Sequence, residues 1–238
     1  MTTMHETVGG LVAERPGWAR VFEEFGIDYC CGGRRTLREA CERRGVSPDA
    51  VLRRLAAADT GRAVDEPDWT AAPLAALCRH IVDTHHAFLR RELPRVGRLL
   101  VKVAGVHGDR NPELFRVAAL YEPFARDMGH HMAEEEQVLF PLIKGLAAGE
   151  PAATDPVAPI RAMLAEHDDA GEAMAEMRRL TDGFRPPEGA CASYRAALAG
   201  LHEIEQDLHR HVHKENNILF PRAARLARAR RPAGGADE

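Results

Sequence analysis

Two stretches of eleven residues share one frame of histidine, glutamate and an LFP triplet. HMAEEEQVLFP spans residues 131–141 and HVHKENNILFP spans residues 211–221, so the frame repeats with a period of 80 residues. In each copy the glutamate follows the histidine by four positions, which places the two side chains one turn apart on the same helix face. An imidazole and a carboxylate directed the same way are ligands for a first-row metal ion.

Both pairs lie on apolar stripes, which predicts that they face the interior. The first stripe contains Tyr121, Phe124, Met128, His131, Glu135, Val138 and Leu142, and the second contains Leu201, Ile204, Leu208, His211, Glu215 and Ile218. Apolar residues at steps of three and four are typical of a helix face that packs on a core. A charged glutamate on such a face is costly unless something compensates for its charge.

Two shorter segments, THHA and EHDDA, repeat at nearly the same period and add a histidine from each of two further helices. His167 lies on a stripe with Met163 and Met174, whereas in THHA the periodicity fits His85 and His86 equally well. Four imidazoles and two carboxylates from four helices suit a pair of metal ions about 3.5 to 4 Å apart, bridged by the carboxylates. A single histidine on an apolar stripe is more often a core residue, but the repetition favours a metal site.

The charges of such a site predict a further bridging ligand. Two iron(II) ions would bring four positive charges against two negative charges, those of Glu135 and Glu215 as bridging carboxylates. We therefore expect an oxo or hydroxo bridge, or another anion, to complete a centre of two iron ions. Coordination positions remain for a small ligand such as nitric oxide or dioxygen.

Helices are expected to dominate the chain, because strand-like runs are nearly absent and aromatic residues make up only 5% of it. The predicted fold class is all-α, an antiparallel four-helix bundle preceded by a small helical domain. In the small domain, Pro16 opens a helix that Gly26 closes, and Thr36 with Glu39 forms a capping box. The predicted organisation is a small helical domain at 1–58, a linker at 59–69, the bundle at 70–228 and a flexible tail at 229–238.

The composition is that of an ordinary globular protein, with 45% hydrophobic residues, 29% charged residues and a net charge of -4. This balance gives no general reason to expect binding to nucleic acid or to an anionic membrane. No apolar run approaches the roughly 20 residues of a membrane span, and the N-terminus does not resemble a signal peptide. Five cysteines do not pair evenly, so we expect a cytoplasmic protein with free thiols. An exposed small domain would favour self-association as a homodimer.

Several motifs together resemble one known family. EEEQVLFPLI, EHDDAGE and HKENNILFPRA are similar to the hemerythrin-like bundle of the di-iron proteins that repair iron-sulfur clusters, the repair of iron centres family. DYCCGG resembles the signature of that family's small first domain, and KVAGVHGD and PPEGAC resemble its connecting segments. The resemblance covers nearly the whole chain and selects His86 over His85. It implies the ligand set His86, His131, Glu135, His167, His211 and Glu215.

Two departures separate the chain from other di-iron bundles. Oxygen-carrying hemerythrins have a fifth histidine four residues after the position of His167, and this chain has Gly171 there. That difference argues against a plain oxygen carrier. Ferritin-like proteins use Glu-x-x-His twice, and no histidine of this chain has a glutamate three residues before it.

The resemblance implies repair of iron-sulfur clusters damaged by oxidative or nitrosative stress, through donation of iron to iron-sulfur proteins. A histidine-rich site suits reversible binding, because divalent iron is near the weak end of the affinity order for such ligands. Three alternatives stay open: a reductase of nitric oxide or peroxide, a sensor of dioxygen or nitric oxide, and a purely structural bundle. The sequence therefore leaves open whether the protein is an enzyme.

Cys30 and Cys31 are adjacent and are followed by two glycines and two arginines. The glycines favour an exposed turn, and the arginines with the helix start that follows would lower the pKa of a thiol. We therefore expect a reactive pair with a redox or transfer role, the alternative being buried structural cysteines. The remaining cysteines, Cys41, Cys78 and Cys191, are expected to be packing residues.

Three further polar residues lie close to the motifs in sequence. His107 falls in the predicted turn between the first two bundle helices, either as a polar loop residue or as an outer ligand. Asp127 lies one turn before His131, and Glu166 directly precedes His167. Each acid is expected either to be solvated or to orient a ligand or line an access path.

Overall fold

A computed structural model describes residues 4–58, 67–150 and 156–230 of the chain. Most of the predicted linker at 59–69 and of the predicted tail at 229–238 lies outside the described residues. The chain forms two compact units: a first unit of Met1–Arg79, Leu139–Arg161 and Arg210–Glu238, and a second unit of His80–Val138 and Ala162–His209. The domain boundaries expected from the sequence stay predictions.

Residues 4–58 form short helices around an apolar core of their own. They comprise α1 (Val8–Glu14), a 3-10 turn (Pro16–Trp18), α2 (Ala19–Phe25), α3 (Leu37–Arg44) and α4 (Pro48–Ala58). Gly26 ends α2 in the left-handed conformation at a φ of 63°. Thr36 begins α3 with the predicted capping box, in which its hydroxyl accepts from the Glu39 amide at 3.3 Å. Phe22 and Leu37 are fully buried between these helices.

Three π-helical turns connect pairs of the remaining described helices. The helices are α5 (Leu74–His80), α6 (Ala87–His107), α7 (Glu113–Glu134), α8 (Phe140–Ala148), α9 (Val157–Leu180), α10 (Ala192–Lys214) and α11 (Phe220–Arg230). The π-helical turns Ile81–His86, Glu135–Leu139 and Glu215–Leu219 continue α5 into α6, α7 into α8 and α10 into α11. The described ranges contain no strand, only an isolated bridge between Thr7 and Thr36. The all-α prediction is confirmed.

In the second unit, α6, α7, α9 and α10 form the predicted four-helix bundle. Their apolar stripes meet in one core, to which Val96 and Leu201 contribute fully buried side chains. Because α7 and α9 both pack on this core, it holds His131 and His167 in place. No helix in the described part of the chain is long and apolar enough to cross a membrane.

The π-helical turn after α7 changes which residues face inward. The predicted buried stripe includes Val138 and Leu142, but Val138 is 57% exposed and Leu142 is half-buried. Their neighbours Leu139 and Ile143 are buried instead, with 1% and 0% of the residue exposed. A π-helical turn closes i→i+5 hydrogen bonds and therefore contains more residues than an α-helical turn. The inward face moves on by one residue, so the stripe predicted from a constant period is wrong beyond Glu135.

Candidate metal centre

Predicted ligands lie at the ends of all three π-helical turns. His86 is the last residue of one, and Glu135 and Glu215 are the first residues of the other two. Isolated π-helical turns are uncommon and occur frequently at functional sites, because they redirect a side chain that the α-helical pitch would point elsewhere. The helix that carries His167 is α-helical throughout its described length.

All six predicted ligands are buried. Their exposed fractions are His86 0%, His131 2%, Glu135 0%, His167 1%, His211 0% and Glu215 0%. Burying an ionised carboxylate is strongly unfavourable unless a cation or several donors surround it. The burial of both glutamates beside imidazoles therefore favours a bound cation.

Four of the predicted ligands converge in the second unit. The Nε2 atoms of His86 and His131 lie 3.2 Å and 3.5 Å from one oxygen of Glu135. The Nε2 atoms of His131 and His167 are 3.0 Å apart, and one donor atom each of His131, Glu135 and His167 lie within 4.8 Å of one another. Two nitrogens bound at a right angle to one ion, at about 2.1 Å each, would be about 3 Å apart. The spacing therefore fits a shared metal ion.

Carboxylates hold the outer nitrogens of two of these histidines. The Nδ1 atom of His86 lies 2.6 Å from Glu136, and the Nδ1 atom of His131 lies 2.8 Å from Glu166. Because a carboxylate only accepts, each Nδ1 carries a proton, and Nε2 is the nitrogen left to bind a metal ion. Both Nε2 atoms point toward Glu135. The donor set therefore fits a metal ion, with the outer carboxylates orienting its ligands.

The two orienting carboxylates differ in their surroundings. Partial burial acts to raise the pKa of Glu136, but hydrogen bonds from Arg90 and His86 outweigh it and bring the pKa below its ordinary value. Arg90 lies 2.7 Å from Glu136. Burial and the nearby charge of Glu134 raise the pKa of Glu166. Glu136 is thus the more firmly ionised acceptor of the two.

In the first unit, His211 and Glu215 repeat the arrangement of His131 and Glu135 on one helix. The Nε2 atom of His211 lies 3.0 Å from Glu215, and both side chains are fully buried. The geometry within this pair is that of two ligands directed toward the same point. The repeated frame therefore gives the same local structure in both copies.

His85 and His86, which periodicity alone does not separate, occupy different surroundings. His86 lies beside Glu135, whereas the Nδ1 atom of His85 lies 2.9 Å from Asp207, and both members of that pair are buried. Sequence reasoning missed Asp207 and Glu136 as partners of the two histidines. The sequence could have indicated a buried Asp207, because it is next to the apolar stripe of α10. It gave no such indication for Glu136, which ends a run of three glutamates of the kind usually found in solvent.

A cavity of about 450 Å³ in the second unit borders His131 and Glu166. Its other acidic lining residues are Asp127, Glu134 and Asp169, and most of the remaining lining is apolar. Both acids that the sequence suggested for an access path therefore line this cavity. Glu166 also orients His131, which places one carboxylate in contact with a predicted ligand and with the cavity.

The loop of residues 27–35, here called the thiol loop, is organised by Asp28. One oxygen of Asp28 accepts from the Cys30 amide at 3.0 Å and from the Cys30 thiol at 3.2 Å, and the other accepts from the Gly32 amide at 2.8 Å. Cys30 is 7% exposed and Cys31 is half-buried. A hydrogen bond with Cys31 and burial raise the pKa of the Cys30 thiol well above its ordinary value. The expected exposed turn with a lowered pKa is therefore wrong for Cys30.

Asn217 attaches the thiol loop to the π-helical turn that carries Glu215. Its amide donates to the Cys30 carbonyl at 3.0 Å and to the Tyr29 carbonyl at 3.3 Å. A Cβ atom on Gly33 would collide with the end of the Asn217 side chain, so a larger residue there requires Asn217 to move. The residue that holds the thiol loop therefore stands two positions after the predicted ligand Glu215.

The other cysteines divide into two groups. Cys41 and Cys78 are fully buried, in agreement with the packing role expected for them. Cys191 is exposed, so the packing role expected for it is wrong, and its sulfur lies 3.3 Å from the Nε2 atom of His107. His107 is the last residue of α6.

Two family models match the chain. The Hemerythrin HHE cation binding domain matches residues 78–223, and a domain of unknown function (DUF542) matches residues 4–59. The first match covers more than half of the chain and includes all six predicted ligands. It agrees with a buried cluster of histidine and glutamate suited to iron.

Relatives align with this chain along nearly its whole length. The iron-sulfur cluster repair protein YtfE of Pectobacterium atrosepticum is 36% identical over 228 residues, which are 94% of this chain and 99% of the relative. The probable iron-sulfur cluster repair protein of Haemophilus influenzae is 35% identical over 93% of this chain and 98% of its own length. The iron-sulfur cluster repair protein YtfE of Musicola paradisiaca is 38% identical over 92% of this chain and 96% of its own length. The chain therefore belongs to the hemerythrin HHE cation-binding family and to the family of these iron-sulfur cluster repair proteins.

Proposed function

We propose that the six buried residues form one centre of two iron ions, with Glu135 and Glu215 as bridging carboxylates. The observation that carries this proposal is the convergence of the imidazole Nε2 atoms of His86 and His131 on the wholly buried Glu135. The buried His211–Glu215 pair supports it, because it repeats that geometry. The two carboxylates neutralise only half of the charge of two iron(II) ions, which favours an additional oxo or hydroxo bridge.

The function that this site supports best is repair of damaged iron-sulfur clusters by donation of iron. The names of the relatives support repair, and the ligand chemistry supports donation. Imidazole and carboxylate hold divalent iron less tightly than they hold the later divalent metals, so release does not require a thiolate site to be dismantled. The recipients are iron-sulfur proteins whose clusters have lost iron.

The acidic cavity is the proposed route for iron. Its carboxylates make a negative surface that attracts a divalent cation. Glu166 both lines the cavity and accepts from His131, so an ion passing it meets a carboxylate before a predicted ligand. In this route the cavity carboxylates bind the iron ion weakly, and Glu166 also keeps His131 oriented.

The thiol loop has a proposed redox or transfer role through Cys30 and Cys31. Asn217 supports this role, because it fixes the loop to the π-helical turn that contains Glu215. Cys31 is the more accessible thiol of the two, and Cys30 stays protonated through burial and its hydrogen bonds. Handover through this loop therefore begins at Cys31.

Reduction of nitric oxide or peroxide, or sensing of nitric oxide or dioxygen, is a second candidate function. It is favoured by the apolar part of the cavity lining, to which Leu120, Phe124 and Ala170 contribute. Small uncharged molecules enter such a surface readily. Turnover with an electron donor would identify a reductase, and reversible ligand binding without turnover would identify a sensor.

Iron content per chain tests the centre. We expect two iron ions per chain in the wild type, loss of most of the iron in Glu135→Ala and in Glu215→Ala, and no loss in His202→Ala, which changes an exposed histidine of α10. Unchanged iron content in both glutamate variants would show that the ligand assignment is wrong. Incubation of iron-loaded protein with a cluster-deficient recipient then tests repair. Iron binding without any restored recipient would contradict donation.

A further inference from the structure

A thiol and an imidazole that are not among the predicted ligands meet in the second unit. Cys191 is an exposed residue, and its sulfur lies 3.3 Å from the Nε2 atom of His107. The His107 ring packs against the buried ring of Tyr194, with 5.6 Å between ring centroids. The imidazole is therefore held in place beside an exposed cysteine.

Two helix ends of opposite polarity meet at this pair. Cys191 directly precedes α10, and its carbonyl accepts the hydrogen bond from the Arg195 amide at 3.0 Å that opens the helix. His107 is the last residue of α6. The partial positive charge of a helix N-terminus favours a thiolate, and the partial negative charge of a helix C-terminus favours an imidazolium. Each helix thus favours one member of the same ion pair.

We propose that Cys191 and His107 form a thiolate–imidazolium pair that is oxidised by hydroperoxides, as a modification site separate from the iron centre. The Cys191 sulfur attacks the distal oxygen of a hydroperoxide, so that a sulfur–oxygen bond forms and the oxygen–oxygen bond breaks. The sulfur supplies the two electrons and receives the hydroxyl group. The remaining alkoxide or hydroxide takes the imidazolium proton of His107 and leaves as alcohol or water. Cys191 is left as a sulfenic acid.

The other cysteines are poorer targets for the same reaction. Cys41 and Cys78 are fully buried, and Cys30 is 7% exposed with its thiol hydrogen-bonded to Asp28. Cys31 is half-buried within the thiol loop. Oxidation follows thiolate character and exposure together, and Cys191 combines an exposed position with an imidazole 3.3 Å from its sulfur.

Alkylation of the full chain at pH 7 measures the thiolate character of each cysteine. An ordinary cysteine is only about 3% thiolate at this pH, so full ionisation raises the reactive fraction at most about 30-fold. The weaker nucleophilicity of a stabilised thiolate removes part of that gain. We expect iodoacetamide to modify Cys191 about three to ten times faster in the wild type than in His107→Gln, as followed by peptide mass spectrometry.

Hydrogen peroxide with dimedone as the trapping reagent tests the oxidation itself. We expect the first sulfenic acid at Cys191, no such product in Cys191→Ser, and an unchanged rate in the control His202→Gln. Treating the protein with an iron chelator beforehand keeps this proposal apart from the iron centre, because the pair needs no iron. Equal alkylation rates in the wild type and His107→Gln would overturn the ion pair. If the first sulfenic acid of the wild type forms at another cysteine, that result alone would overturn the proposal.

Discussion

The two copies of the HxxxExxxLFP frame carry the same ligand types but stand in different surroundings. In the first copy Glu134 is exposed and Val138 is 57% exposed. The equivalent residues of the second copy, Lys214 and Ile218, are 7% and 5% exposed. One copy therefore presents its π-helical turn to solvent, whereas the other has its turn covered.

The small N-terminal helices supply part of the cover over the second copy. Asn217 lies against Gly9 of α1 and Gly33 of the thiol loop. His213 packs edge-on against Tyr29, with 5.5 Å between ring centroids. His213 and Asn217, which stand two residues before and after Glu215 in the chain, thus attach the thiol loop.

In the first copy, a different position of the frame contacts a predicted ligand. Glu136, directly after the ligand position Glu135, accepts from His86 and is paired with Arg90. The comparison teaches that the frame sets the ligand positions, whereas its other positions decide what each turn supports. One turn orients a neighbouring histidine, and the other holds the thiol loop.

Truncation at equivalent positions gives the largest expected difference between the copies. Ile218→Ala should lower the free energy of unfolding by about 2–5 kcal/mol, because it leaves a cavity at a buried site. Val138→Ala should change it by no more than about 0.5 kcal/mol, because that side chain is mainly in solvent. Urea unfolding of the two chelator-treated variants, followed by circular dichroism, measures both values. Equal costs would remove the distinction between a covered and an open turn.

A methyl group on Gly33 should break the attachment of the thiol loop. In Gly33→Ala the new Cβ would collide with the Asn217 side chain, which must turn away and lose its hydrogen bonds to the loop unless the backbone moves, at an expected cost of about 1–3 kcal/mol. Gly17→Ala is the matched control, since nothing lies within 4 Å of a Cβ there. Removing the obstacle in the double variant with Asn217→Ala should recover part of the cost. Strictly additive losses would show that this contact does not set the loop position.

Removal of the carboxylate that orients His86 should weaken iron binding in the first copy. Glu136→Ala is expected to lower iron affinity about 10-fold to 100-fold, as is usual for the outer partner of a metal-bound histidine. Glu136→Gln should retain most of the affinity, because its amide oxygen still accepts from the His86 Nδ1 atom. Competition with a chelator measures the affinities. An alanine variant with wild-type affinity would mean that Glu136 does not position His86.

Local sequence periodicity predicts much of the fold and of the candidate site. Pairs spaced by four residues identify His131 with Glu135 and His211 with Glu215, because residues one helical turn apart share a face. The capping box at Thr36 follows from two residue types at a fixed spacing. Such features depend on neighbours along the chain.

Features that depend on distant contacts were not predictable in the same way. The π-helical turn at Glu135 exposes Val138, which a period of 3.6 residues places inside. The carbonyl of the buried Cys30 accepts a hydrogen bond from Asn217, which follows it by 187 residues. Spacing along the chain contains no information about a partner at that distance.

The smallest expected effect separates the two polar residues that stand at the same position of the frame. Asn217→Ala removes two hydrogen bonds to thiol-loop carbonyls and should cost about 1 kcal/mol, the loss being limited because His213 lies 3.4 Å from the same Tyr29 carbonyl. Gln137→Ala, at the exposed equivalent position, should cost less than about 0.5 kcal/mol. The loosened loop should also let iodoacetamide reach Cys31 faster in Asn217→Ala than in Gln137→Ala. Urea midpoints and peptide mass spectrometry measure these differences, and an unchanged Cys31 rate would show that Asn217 does not restrain the thiol loop.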